Sequence, residues 1–235
     1  MTKTTLNHIR ADLQALATPA KAKVSSGFFK TGKGEYGEGD VFIGITVPQL
    51  RNVAKNYVAL SFDDLERLLS SQVHEHRYVA LLILVLRFPK ASVEERKAIV
   101  DFYLEHRAHV NNWDLVDTSA SYILGEHLLD KDTRMLDKMA RSRDMWERRI
   151  AIVATQAFIK NGRFDETRRI ATLLLDDEQD LIHKATGWML REVGKKDEHV
   201  LKEFLDEHVS VMPRTMLRYA IDRFDKKTRA DYLFR

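Results

Sequence analysis

A repeated helical pattern, beginning near residue 45 and running almost to the end, constrains this chain most. Successive stretches place apolar residues at three- and four-residue steps, the spacing that gathers them on one helix face. They cover 48–57, 62–70, 74–88, 93–109, 113–129, 146–160, 166–175, 181–193, 200–208 and 216–224. Short Asp, Ser, Asn or Gly breaks separate them, and no stretch alternates long enough to argue a sheet. Several of these helices also resemble one another: HEHRYVALLIL, NWDLVDTSASYIL, WERRIAIVATQAF, LIHKATGWMLREV and TMLRYAIDRF. Each opens on polar or charged residues, passes a small residue and runs into an apolar stretch. Aligning Arg77, Asp117, Arg149, Lys184 and Arg218 gives steps of 40, 32, 35 and 34 residues. A period of that size marks stacked helix pairs, because one pair cannot bury its apolar face alone. The expected fold is therefore all-α, an α-solenoid of HEAT-like helical repeats, with residues 1–235 forming a single domain.

Glycine is concentrated ahead of the repeats. Six of the ten glycines lie between Gly27 and Gly44, so residues 31–44 are expected to form a flexible Gly-rich loop. The run Gly32 to Gly37 matches G-x-G-x-x-G, but it follows no strand and opens no βαβ unit, so a dinucleotide site is not expected. Without cysteine the chain has no disulfide framework, thiol nucleophile or Cys-ligated zinc. His74 and His76 are two apart and face different ways, and His106 and His109 lack a third ligand, so no metal or cofactor is expected. The longest apolar run, 79–86, is far too short for a bilayer, and the charged N-terminus has no apolar signal core. A cytoplasmic monomer without membrane contact is expected. A net charge of +3 and a pI near 9.0 permit a polyanionic partner without requiring one.

In a solenoid, the aligned column becomes a stripe along one surface. It holds four cations and one carboxylate. Cations at helix starts oppose the macrodipole, which points to an anionic partner such as a phosphate backbone. A ladder of ion pairs between repeats would read the same way. Trp113 and Asp117, at i and i+4 after an Asn cap, share a helix face. That pairing fits a site for a cation, and equally a core indole beside an ion-paired Asp; spacing alone leaves both open. Trp146, in the first turn of its helix, reads as packing.

Four motifs then occur in order: F-x-G-I-x-x-P (Phe42, Gly44, Ile45, Pro48), WDLVD at 113–117, WERRIA at 146–151 and KATGWMLRE at 184–192. Together they resemble the AlkD family of DNA alkylation-repair glycosylases over nearly the whole chain. The resemblance implies a concave basic groove around duplex DNA containing alkylated bases. It implies Asp117 as catalytic carboxylate, with Trp113 and Trp188 as the active-site tryptophans. Arg149 is implied to hold the DNA backbone and Arg191 to serve the cleft. With the basic column, and with Arg148 beside Arg149, the expected DNA-binding set is Arg77, Arg148, Arg149, Lys184, Arg191 and Arg218. Phe28 stands where some members place a Tyr, and the loop from Thr31 to Asp40 is an insertion relative to shorter relatives.

The implied activity is base excision of N3- and N7-alkylated purines such as 3-methyladenine and 7-methylguanine. These bases are cationic, so they leave neutral and need no general acid; one carboxylate suffices to stabilise the sugar cation. Indole faces attract such cations. The alternative class is a non-catalytic HEAT-repeat protein that binds DNA structures or scaffolds proteins.

Overall fold

Polar side chains fix where many of the helices begin. Ser61 and Ser92 accept from the amides of Asp64 and Glu95, and Asp144 and Asp197 accept from those of Trp146 and of His199 and Val200. Gln49 reaches back to the amide and hydroxyl of Thr46 at 3.1 and 2.6 Å. Each such contact satisfies a helix-start group that has no intrahelical partner. The computed structural model describes residues 5–234.

These residues pack as two compact units that meet in sequence between Ser119 and Ala120. The first contains α1 (Leu6–Leu16), α2 (Pro19–Phe28), α3 (Val47–Asn56), α4 (Phe62–Leu69), α5 (His74–Arg87), α6 (Val93–Glu105) and all but the last residue of α7 (Trp113–Ala120). The second begins with a π-helical turn, Ser121–Gly125, and α8 (Glu126–Leu128). It continues through α9 (Arg134–Ala140), α10 (Met145–Ala154), α11 (Gln156–Lys160), α12 (Asp165–Leu173), α13 (Asp180–Lys196), α14 (Glu198–His208), α15 (Arg214–Ala220) and α16 (Lys226–Phe234). The sequence reads as one domain; the packing divides it in two. In an array where each repeat packs only on its neighbours, such a division is easily made. Among the described residues the sole β feature is an isolated parallel bridge, Val41 to Val73. No described helix is long and apolar enough to cross a membrane.

In the first unit α5 is the core helix, buried without interruption from Val79 to Leu84 and packed on α3 and α4. In the second, α13 plays that part, packing on α10, α12, α14 and α15. The expected helices appear with small shifts at their ends. The stretch 93–109 stops at Glu105 and resumes as a 3-10 turn, Arg107–His109. The stretch 146–160 breaks at Thr155, whose hydroxyl donates to the Ile152 carbonyl at 2.7 Å. Helices α1, α2, α9 and α16 add to the expected set. The aligned residues fall at matching places in their helices: Asp117, Arg149, Lys184 and Arg218 are each the fifth residue, and Arg77 is the fourth of α5.

Close approach of backbones accounts for two of the small residues. At Gly187 a Cβ would collide with the Met216 carbonyl oxygen and the Tyr219 Cβ, so α13 and α15 touch there. Gly44 has φ +82°, and a Cβ would strike the Thr18 carbonyl and the Ala22 amide at the start of α2. The Phe-x-Gly-Ile motif thus folds into a bend that only glycine allows.

Candidate functional site

Trp113 opens α7, and Asn112 marks the start: its side-chain oxygen accepts from the Trp113 amide at 2.8 Å. The indole is half-buried, and so is Asp117 one turn along. Behind the indole lies a series of rings. Phe29 stacks on Trp113 at 5.2 Å and 15°, and Phe42 stacks on Phe29 at 4.9 Å and 18°. His74 stacks on Phe42 at 4.5 Å and 24°. Phe28 meets the edge of Trp113 at 6.0 Å and is itself 65% exposed. The indole is therefore held by an aromatic column whose inner rings, Phe42 and His74, are buried, while its neighbourhood opens to solvent at Phe28.

The buried end of that column is ionic. His74 places Nε2 2.8 Å from Asp114 and Nδ1 3.2 Å from Asp40. Asp40 also takes Arg77 at 2.6 Å and the Asn112 side-chain amide at 3.3 Å. Burial alone would push the His74 pKa down. The hydrogen bonds to Asp114 and Asp40 outweigh it and hold the ring above its ordinary 6.5. Burial likewise pushes Asp40 up, and His74 with Arg77 outweighs that, leaving it below its ordinary 3.8. Glu75 faces the other way, accepting from the amides of Ile43, Gly44 and Ile45 at 2.8–3.3 Å. One turn along the same face of α7 from Asp114, Thr118 donates to the Tyr78 hydroxyl at 2.8 Å. Burial, aided by the charges of Asp114 and Asp117, raises the Tyr78 pKa.

The second unit presents the other expected tryptophan. Trp188 is half-buried on α13 and donates its indole N–H to Glu192 at 3.2 Å. Glu192 also binds Lys195 at 2.7 Å, and Arg191 reaches Asp222 at 3.2 Å. Trp146 is a core residue, as its position suggested.

The basic column is mostly paired within the protein. Arg77 is 3% exposed and bound to Asp40, and Arg149 is 5% exposed and donates to the Leu181 carbonyl at 2.6 Å. Arg148 binds Asp177 at 2.5 Å, and Lys184 binds Asp180 at 2.7 Å. Arg218 is exposed. These contacts are not a ladder between repeats: Lys184 pairs within its own helix, Arg77 pairs with the loop, and the Leu181 partner of Arg149 is a carbonyl. In the Gly-rich run, Glu35 and Glu38 take the amides of Gly32 and Gly34 at 2.9 and 2.8 Å. His76 bonds Ser71 at 3.0 Å, apart from His74's partners, and no described cluster of three ligating side chains exists. Sequence reasoning missed Phe29, Asp40, Asp114 and Glu192 as parts of the site. The F-x-G-I motif and the Asp after Trp113 were the available signals.

Comparison with known proteins fits this architecture. A predicted DNA alkylation repair enzyme from Enterococcus faecalis superposes with a TM-score of 0.68 at 20% identity, covering 89% of this chain and 97% of that one. The protein smu.31 from Streptococcus mutans UA159 superposes with a TM-score of 0.53 at 18% identity, covering 76% of this chain and 93% of that one. At such identities the likeness concerns the fold alone. No protein of curated function matches the sequence significantly. The sequence model of the DNA alkylation repair enzymes matches residues 9–224, nearly the whole repeat array, and this chain belongs to that family.

Proposed function

We propose that the chain is a DNA N-glycosylase that releases cationic N3- and N7-alkylated purines from duplex DNA. The observation that carries this is the face of α7, where a half-buried indole backed by stacked rings sits one turn from a half-buried carboxylate. An indole so placed favours a cationic base by about 0.5–2 kcal/mol. Asp117 then stabilises the oxocarbenium character that develops on the sugar as the neutral base departs, and orients the attacking water. No proton donor to the leaving base is needed, because alkylation has already supplied the charge. Trp188 offers a second aromatic surface for a cationic nucleotide, and the phosphate contacts are assigned to exposed Arg218 and to Lys184 and Arg191, which exchange Asp180 and Asp222 for the DNA backbone. Membership of the alkylation-repair family supports DNA as the substrate.

The test is single-turnover excision of 3-methyladenine and 7-methylguanine from duplex DNA, wild type against Asp117→Asn. The variant is expected to bind DNA normally and to lose about 2.7–4 kcal/mol of barrier lowering. Uracil and 8-oxoguanine, whose glycosidic bonds are not activated, should remain in the DNA. A folded Asp117→Asn protein with the wild-type rate overturns the assignment.

A further inference from the structure

His74 lies outside the set of residues expected to do chemistry, yet it joins three segments. It belongs to α5, Asp40 closes the Gly-rich loop, and Asp114 is the neighbour of Trp113 on α7. Both ring nitrogens face carboxylate oxygens, and carboxylates only accept, so the ring must donate twice and carries a positive charge. The other charged and titratable groups facing it are accounted for. Arg77, one helical turn along α5, brings Nη2 to 3.5 Å from His74 Nδ1 and so opposes the charge on the ring, but its hydrogen bonds go to Asp40 at 2.6 Å and to the Ser71 and Gln72 carbonyls. Glu75 is committed to the amides of Ile43 to Ile45. The Tyr78 ring lies 6.4 Å away. On Asp114 only Oδ2 has a partner, His74; Oδ1 is buried and has none. The charge of Asp114, beside the active indole, is thus balanced by one imidazolium. The His74 ring is also the inner member of the stack that ends at Trp113.

We propose that His74 is the positioning residue of the Trp113 face: clasped between Asp40 and Asp114, its imidazolium ties the first turn of α7 and the rings behind the indole to the end of the Gly-rich loop. Deprotonation removes one of the two donated hydrogen bonds and leaves a buried carboxylate uncompensated, so the turn carrying Trp113 loosens. The loop from Thr31 to Asp40 gains a purpose thereby, since it delivers the carboxylate that completes the clasp.

The effect on excision rests on the glycosylase function proposed above; the structural effect does not, and two measurements separate them. The first follows the three tryptophan indole N–H resonances of the wild-type protein from about pH 5 to about pH 9, with Trp113 assigned by Trp113→Phe. The Trp113 resonance is expected to titrate with a midpoint above the ordinary histidine value, and the titration is expected to vanish in His74→Gln. A Trp113 resonance that stays flat in the wild type, or titrates unchanged in His74→Gln, overturns the proposal; the wild-type arm decides even if the variant does not fold. The second measures 7-methylguanine excision and affinity for unmodified duplex. His74→Gln is expected to lower the excision rate by about a hundredfold, as small misplacements of reacting groups do, with duplex affinity unchanged. An active wild type whose excision is unaffected by His74→Gln also overturns it. A wild type inactive on methylated DNA defeats the glycosylase function and leaves the resonance test decisive.

Discussion

The tryptophans Trp113 and Trp188 sit on equivalent helices of the repeat and are held in opposite ways. Trp113 is fixed from behind, by stacked rings that end on a buried ionic cluster. Trp188 is fixed from the side, by one hydrogen bond to a carboxylate that a partly exposed lysine shares. The fifth residue of each helix differs in the same sense, Asp117 on α7 and Lys184 on α13. Preorganisation by burial suits a position where charge must be met with accuracy. A hydrogen-bonded surface contact suits one that adapts to a ligand.

The largest expected effect tests whether the ionic cluster belongs to the fold. Arg77→Met leaves Asp40 buried with one of its three side-chain partners gone and should cost about 3–5 kcal/mol of stability in denaturant titration. It should leave the salt dependence of DNA binding unchanged. Exposed Arg218 should do the reverse: Arg218→Gln should lower the salt slope by about one unit at little cost in stability. A reduced slope from a folded Arg77→Met would place that guanidinium on the DNA after all.

The pH dependence of stability sharpens the same contrast. His74 has a folded pKa above its unfolded 6.5, so its stabilisation is complete below 6.5 and is lost as pH rises through the folded value. Burial, followed by Arg10 and Arg77, depresses His76 to about 4, so its contribution is present above 6.5 and is lost as pH falls towards 4. The melting temperature should therefore decline on both sides, and His74→Gln should flatten the alkaline side alone.

A smaller effect is expected at Trp188. Trp188→Ala should slow excision of 7-methylguanine by a factor corresponding to about 0.5–2 kcal/mol. The smallest is expected at its support: Glu192→Gln keeps an acceptor for the indole and should change excision by less than about 1 kcal/mol, an effect that fades in high salt. A loss at Glu192 as large as that at Asp117 would mean the two tryptophans are not held differently in any way that matters.

Much of the fold was legible because helical periodicity is local. Residues three and four apart declare a face wherever one side is buried, and α5, α10 and α13 did so. Helix α2 could not: it has no buried residue, so nothing in its spacing separates one side from another. The ends of the helices after 93 and 146 shifted for reasons carried by single hydroxyls and turns. At the site, the Trp113 and Asp117 spacing was readable. Their supports were not, because Arg77 finds Asp40 at a separation of 37 residues and Arg149 finds Leu181 at 32. Alignment showed that cations recur, but pairing across such separations leaves no local pattern to show which of them are already satisfied.

The contact at Gly187 fixes the pitch of the array at α13 and α15. Its nearest obstacle is a main-chain oxygen, that of Met216. A bulky neighbour could be trimmed by a second substitution elsewhere, but a carbonyl cannot. Any side chain at 187 would therefore wedge apart the two helices that carry Lys184 and Arg218, and no compensating change in α15 would restore their spacing. Among the small residues of this chain, Gly187 is accordingly a position from which sequence drift has no way back, and it ties the distance between those two cations to a missing methyl group.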